Sequence, residues 1–85
     1  MTMEYLVVRF PETREVRVDG VPHGRTNIVL QFEAGMHDVT LGPPWNFAPL
    51  AQKVLLWNTA ALDPYRVEFR ILPPAAIPIS PGSPP

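Results

Sequence analysis

The sequence predicts an all-β protein: a small antiparallel β-sandwich of about six or seven strands with a Pro-rich C-terminal tail. Apolar residues recur at every second position, which is the period of a half-buried strand. No segment sustains the i, i+3, i+4 apolar spacing of an amphipathic helix. Turns containing Gly or Pro separate the alternating runs roughly every 8–12 residues, as in sandwiches. Two packed sheets sharing one core therefore account for the pattern.

The alternation assigns an inner face to each strand in turn, and two turns are predicted to close hairpins. Asp19-Gly20 is a strong hairpin dipeptide because both positions tolerate positive φ, and Ala34-Gly35 is predicted to close a second hairpin. The inner residues are predicted to be Leu6, Val8 and Phe10, then Val16 and Val18, then Ile28, Leu30 and Phe32, then His37, Val39 and Leu41, and finally Tyr65, Val67, Phe69 and Ile71.

One segment is apolar on both faces. Val54-Leu55-Leu56-Trp57 has no polar residue in either register, so it is predicted to be a central or doubly covered strand. A short helix over residues 48–57 is the alternative, although Asn58-Thr59 follows it as a turn. Tyr5 and Val7 also add apolar area to the outer face of the first strand.

Length and composition limit the chain to one small domain. It has 85 residues, no cysteine and a net charge of −1, which excludes a disulfide framework, thiolate chemistry and the basic excess typical of nucleic-acid binders. Six of the 12 prolines lie in the last thirteen residues, which carry no charged side chain. Residues 1–72 are therefore predicted to be the domain and residues 73–85 a flexible tail. Its Pro-x-x-Pro spacings are typical of a linker or of a ligand for a peptide-binding groove.

Four motifs follow one another in an order typical of a known family. They are Pro11-Glu12, Val16-Arg17-Val18-Asp19-Gly20, Gly24-Arg25-Thr26 and Phe32-Glu33-Ala34-Gly35-Met36-His37-Asp38-Val39-Thr40-Leu41. Over residues 3–72 the chain resembles the PEGA domain. Thr13-Arg14 stand where the family has Gly-Ala, Asn27 and Ala34 stand where it has proline, and Trp45-Asn46-Phe47 occupy its aromatic loop. The resemblance implies a compact, non-catalytic β-sandwich module of bacterial and archaeal proteins.

The sequence offers no catalytic constellation. Its two serines, Ser80 and Ser83, lie in the tail. Six carboxylates are predicted at outward or turn positions where they stay solvated: Glu15, Glu33, Asp38, Glu68, Asp19 and Asp63. Lys53 is predicted to be a rim residue, with a desolvated amine as the alternative. His23, in the predicted turn 21–24, and His37 share no metal-ligand spacing. We therefore expect no enzyme activity, no cofactor and no metal, with His37 satisfying a turn carbonyl.

The aromatic loop is the better functional candidate. Pro43-Pro44-Trp45-Asn46-Phe47-Ala48-Pro49 holds two large rings in a stiff connection, where they either cap the core or form a platform for a ligand or partner. Trp57 is predicted to lie in the core or in an interface. Arg66 and Arg70 alternate with Glu68 on an outward strip that is either solvated or contacts an acidic partner.

These features predict a module that works by binding. A protein partner or self-association is expected to cover the outward apolar residues, and a carbohydrate stacked on Trp45 and Phe47 is the alternative. Nucleic-acid binding and membrane insertion are not expected. Because residues 1–10 carry Glu4 and Arg9, they do not resemble a signal peptide, and a cytoplasmic location is expected. An excerpt of a longer exported protein would instead be extracytoplasmic.

Overall fold

The computed structural model describes residues 2–73, which form nine strands and no helix. The strands are β1 (Met3–Arg9), β2 (Glu15–Val18), β3 (Val21–Arg25), β4 (Val29–Glu33), β5 (Gly35–Leu41), β6 (Phe47–Ala48), β7 (Gln52–Leu56), β8 (Tyr65–Glu68) and β9 (Arg70–Ile71). The helical alternative for residues 48–57 is wrong, since β6 ends at Ala48 and β7 occupies Gln52–Leu56. No helix in the described range has the length and apolar character needed to cross a membrane.

Two sheets form the sandwich. Sheet one has the strand order β4-β1-β8, sheet two has the order β3-β2-β5-β7, and β6 and β9 form a small third sheet. The His23 ring of β3 lies 4.4 Å from the Phe32 ring of β4, so these two edges face each other. At the opposite side, Gln52 Nε2 of β7 donates to the Glu68 carbonyl of β8 at 2.7 Å. The predicted small all-β sandwich is confirmed.

The core follows the predicted alternation closely. The buried cluster contains Leu6, Val8, Phe10, Val16, Val18, Leu30, Phe32, Val39, Leu41, Phe47, Val54, Leu56, Val67 and Phe69. Three residues predicted to face inward are exposed instead: Ile28, Tyr65 and Ile71. Ile28 lies in a bend before β4, Tyr65 is the first residue of β8, and Ile71 is the last residue of β9. The alternation therefore predicts the centre of each strand better than its ends.

The strand pairing differs from the predicted antiparallel arrangement at two places. Asp19 and Gly20 have φ values of 53° and 82°, and they join β2 to β3 as a tight hairpin, as predicted. Ala34-Gly35 does not close a hairpin, because β4 pairs with β1 whereas β5 pairs with β2 and β7. With φ 127°, Gly35 lets the chain turn from one sheet to the other, so that β4 and β5 lie in opposite layers. The pairing of β1 with β8 is parallel, so the sandwich is not wholly antiparallel.

The remaining strand predictions need three corrections. The segment from Val54 to Trp57 is neither central nor doubly covered: β7 lies at an edge, with Leu55 55% and Trp57 70% exposed. The predicted turn at residues 21–24 is strand β3. The last strand breaks at Phe69, because β8 pairs with β1 whereas β9 pairs with β6. Together with β3 and β6, this break raises the strand count from the predicted six or seven to nine.

The outer face of β1 is less open than its sequence suggests. Val7 is buried, because Val29 on one neighbouring strand and Arg66 on the other lie beside it in register and share its face. Tyr5 is half-buried. Most of the predicted tail, residues 74–85, lies outside the described residues, and with it both Pro-x-x-Pro spacings.

Candidate functional site

The two aromatic rings of the loop, Trp45 and Phe47, have different environments: Phe47 is buried and Trp45 is exposed. Phe47 is 1% exposed and meets Phe10 and Phe69 edge to face, with ring centroids 6.4 and 5.7 Å away. It therefore closes the end of the core, which is one of the two roles predicted for the rings of this loop. Trp45 is 58% exposed, and its ring lies 5.9 Å from that of Phe47. Of the two rings in this loop, only Trp45 presents an accessible aromatic surface, and its ring packs against Phe47.

A buried arginine fixes the loop from the other side. Arg14 is 8% exposed, and its Nη1 donates to the Pro44 carbonyl at 3.0 Å and to Asn46 Oδ1 at 3.1 Å. Its Nη2 pairs with the Glu12 carboxylate, and its guanidinium carbon lies 5.0 Å from the centroid of the Phe10 ring. The Asn46 carbonyl also accepts from Leu72 N at 2.8 Å. Asn46 thus anchors the loop within the described chain.

The three other candidate residues, Trp57, Arg66 and Arg70, do not form one site. Arg70 lies opposite Ala48 in the β6–β9 pair, which brings it to the aromatic loop. Arg66 lies on β8 in sheet one, and Trp57 follows β7 of sheet two. Arg66, Glu68 and Arg70 are all exposed, but the break at Phe69 divides them between two sheets. The predicted charged strip is therefore not a single strand face.

An exposed apolar cluster lies along β7. Leu55 is opposite Met36 of β5 in register, and Trp57 follows two positions later on the same outer face. Met36, Leu55 and Trp57 are 61%, 55% and 70% exposed. We call these three residues the β7 patch. Lys53 flanks it and lines a shallow cleft of about 170 Å³ together with Met36, His37 and Asp38.

His37 joins the turn before β3 to the corner before β5. Its Nδ1 lies 2.8 Å from Asp19 Oδ2, and its Nε2 lies 2.7 Å from the Glu33 carbonyl, which is the kind of partner predicted for this ring. Burial lowers the pKa of His37, but these hydrogen bonds raise it by more, so the pKa lies above its usual value. Hydrogen bonds from Asp38 N and His37 lower the pKa of Asp19. The arrangement is a polar clasp between two connections.

Glu4 and Thr59 form a second polar connection, which the sequence reading overlooked. Thr59 donates to Glu4 Oε1 through its hydroxyl at 2.6 Å and its amide at 2.7 Å, and its hydroxyl oxygen accepts from Tyr5 N. These bonds lower the pKa of the Glu4 carboxyl. Glu4 shares the inner parity of Leu6 and Val8, and Arg14 shares that of Val16 and Val18. Strand parity was the signal that could have marked both residues as buried.

Residues 2–73 contain no cluster of potential metal ligands. No group of three or more His, Asp or Glu side chains there has the arrangement to hold a metal ion. His23 and His37 both contact Phe32, with ring centroids at 4.4 and 5.8 Å. Both rings therefore extend the aromatic packing around Phe32.

The residues that resemble the PEGA motifs have identifiable structural tasks. Thr26 is buried, its Oγ1 accepts from Arg14 N at 2.8 Å, and it donates to the Glu12 carbonyl at 2.8 Å. Gly24 has φ 83°, and a Cβ there would overlap Leu30 Cδ2.

No family model, curated protein or solved structure matches this chain.

Proposed function

We propose that this chain is a non-catalytic assembly module that binds a second copy of itself through the free edge of β7. The β7 patch carries the proposal. It places three large apolar side chains on an exposed face, directly beside a strand whose outer backbone groups have no neighbouring strand in the described chain. Apolar area and unpaired backbone groups at one place are the two components that strand addition uses.

The other three edges of the two main sheets are less suited to pairing. β3 carries Pro22, which lacks an amide donor, and its pairing with β2 is irregular between Glu15 and Arg17. β8 is four residues long and has Arg66 and Glu68 on its outer face. β4 has only Val29 as an outward apolar residue. By contrast, β7 runs for five residues without proline or register shift.

The outward side chains of β7 are complementary to themselves in an antiparallel pair. If Leu55 lies on the two-fold axis, it meets Leu55 of the second copy, and Lys53 of each copy lies opposite Trp57 of the other. A Lys ammonium near a Trp ring is a favourable cation–π contact. The same register keeps the two Lys53 ammonium groups apart. The pair would join two four-stranded sheets into one of eight strands.

The mass of the protein in solution tests this proposal. We expect sedimentation equilibrium at micromolar concentration to give twice the 9.5 kDa chain mass, about 19 kDa. Leu55→Asp should return the protein to a monomer, because it places two carboxylates at the two-fold axis. Leu62→Asp is the matched control, since Leu62 is 97% exposed and lies outside the β7 patch. A monomeric wild type, or a dimer that Leu55→Asp leaves intact, would contradict self-assembly through β7.

Carbohydrate binding on Trp45 is the second candidate function. A single observation favours it: the exposed Trp45 ring is supported by Phe47 and held in a loop that Arg14 fixes at Pro44 and Asn46. Flat, rigid aromatic rings are suited to stacking against the apolar faces of sugars. Tryptophan fluorescence titrated with a polysaccharide panel should then saturate in Trp57→Ala but stay flat in Trp45→Ala. A flat titration in the wild type would remove this candidate.

A further inference from the structure

A cleft lined by three arginines opens on sheet two, at the edge opposite β7. Its volume is about 330 Å³, and it lies between strands β2 and β3 and the start of the aromatic loop. The lining residues are Thr13, Arg14, Glu15, Arg17, Arg25, Gly42 and Pro43. Three of the seven basic residues of the chain therefore line one depression, although the chain as a whole is weakly acidic.

The guanidinium groups differ in how far their donors are used. Arg14 is buried and uses Nη1 for Pro44 and Asn46 and Nη2 for Glu12, so it forms a fixed wall of the cleft. Arg17 uses only Nε, which donates to Glu15 Oε1 at 2.8 Å, and within residues 2–73 its two Nη atoms make no hydrogen bond.

Arg25 has the most available guanidinium group of the three. It lies opposite Glu15 in register, is exposed, and makes no ion pair within the described part of the chain. The Nη atoms of Arg17 and the whole guanidinium of Arg25 are therefore available to a ligand.

The charges leave an excess that an anion would balance. Three guanidinium groups contact or oppose two carboxylates, those of Glu12 and Glu15, which leaves one positive charge around the cleft. A planar guanidinium fork binds two oxygens of one carboxylate or phosphate group at once. A second depression of about 240 Å³, lined by Arg25, Glu15 and His23 among others, continues the groove along β3. The groove therefore has room for a ligand larger than a free ion.

We propose that this cleft binds the oxyanion group of a ligand, a carboxylate or a phosphate. Arg17 and Arg25 are the direct donors and carry the excess positive charge, and Arg14, paired with Glu12, forms the fixed wall behind them. Thr13 and Pro43 form the uncharged sides of the cleft, against which the adjoining part of the ligand would lie. Because β3 and β7 are opposite edges of sheet two, this site is independent of the proposed self-assembly.

Amide chemical shifts of ¹⁵N-labelled protein, titrated with inorganic phosphate and separately with acetate, test the proposal. Sodium chloride should hold ionic strength constant, because general screening also moves shifts at charged surfaces. We expect saturable shifts centred on the amides of Thr13 and Gly42. The probe that saturates at lower concentration identifies which oxyanion the cleft prefers.

Two arginine variants and one control decide whether the cleft is the site. Arg17→Gln and Arg25→Gln should each weaken binding about tenfold or more, since hydrogen bonds to charged groups contribute about 1.5–3 kcal/mol. Arg66→Gln removes an exposed arginine from sheet one and should leave affinity unchanged. Arg25 is exposed, so its variant folds even if the Arg17 variant does not. Shifts that rise without saturation, or that persist equally in Arg25→Gln and Arg66→Gln, would overturn the proposal.

Discussion

Replacing Thr26 by valine should destabilise the domain strongly, although the two side chains have nearly the same shape. Thr26 is 2% exposed, and its hydroxyl is the acceptor for the buried Arg14 amide and a donor to the Glu12 carbonyl. A buried donor left without its partner costs about 1–3 kcal/mol, and a lost ordinary hydrogen bond costs about 0.5–1.5 kcal/mol. The gain from burying one more methyl, about 0.8 kcal/mol, offsets part of this.

These terms sum to a net loss of about 1–4 kcal/mol, centred near 2 kcal/mol. A domain of some 70 residues has a total stability of about 4–11 kcal/mol, so the variant loses a large part of it. Urea unfolding followed by circular dichroism measures the loss. Protein concentration must be held constant because self-association would couple to stability. Thr26→Ser is the control, since it keeps the hydroxyl and loses only a methyl, about 0.8 kcal/mol. If Thr26→Val is as stable as Thr26→Ser, the hydroxyl does not hold the Arg14 segment.

Three further predictions concern the clasp, a turn and the aromatic loop. Because the pKa of His37 is raised in the folded protein, its protonated ring contributes fully to the free energy of unfolding below the unfolded-state pKa of about 6.5. That contribution is lost as pH rises through the folded-state pKa. The lowered pKa of Asp19 makes its contribution disappear as pH falls through its folded value, below about 3.9. The free energy of unfolding of the wild type, measured by chemical denaturation, should therefore decline from pH 6 to pH 8. His23→Gln should show the same decline and His37→Gln should not. Equal slopes in the three proteins would contradict the clasp. Gly24→Ala should cost about 2–4 kcal/mol, because it adds overlap with Leu30 to the strain of positive φ, whereas Gly20→Ala has open space and should cost about 1–2 kcal/mol. Equal losses in urea unfolding would refute that difference. Phe47→Ala should cost about 3–5 kcal/mol and Trp45→Ala about 0.5 kcal/mol or less, because only Phe47 is buried; a large thermal shift in Trp45→Ala would contradict the division of tasks in the loop.

Local pattern predicted much of this fold because the side-chain period of a strand is set within the strand itself. Val16, Val18, Val39 and Leu41 are buried as their alternation indicates, and Asp19-Gly20 makes the expected hairpin. The Ala34-Gly35 corner was misjudged, since a turn sequence specifies that the chain bends but not which strand it meets next. The parallel β1–β8 pair likewise joins residues some 60 positions apart, beyond any local signal.

The candidate sites were predictable to a smaller extent. Trp45 and Trp57 stood out by residue type and location, and both are exposed. The arginine cleft was missed because it brings together Arg14, Arg17 and Arg25 from two strands and a loop. Its formation depends on the strand pairing, and above all on the register that sets Arg25 opposite Glu15.

Disulfide crosslinking of single-cysteine variants tests the central claim, self-assembly through β7, most directly. The wild-type chain has no cysteine, so each introduced thiol reports one contact. With Leu55 on the two-fold axis, the Cα atoms of the two opposed residues lie about 4.5–5.5 Å apart, within the range of about 4.4–6.8 Å that a disulfide spans. Leu55→Cys should therefore form a covalent dimer under mild oxidation. An equimolar mixture of Lys53→Cys and Trp57→Cys should crosslink, whereas each alone should not. If Leu55→Cys crosslinks no faster than Leu62→Cys, the β7 edge is not where two copies meet.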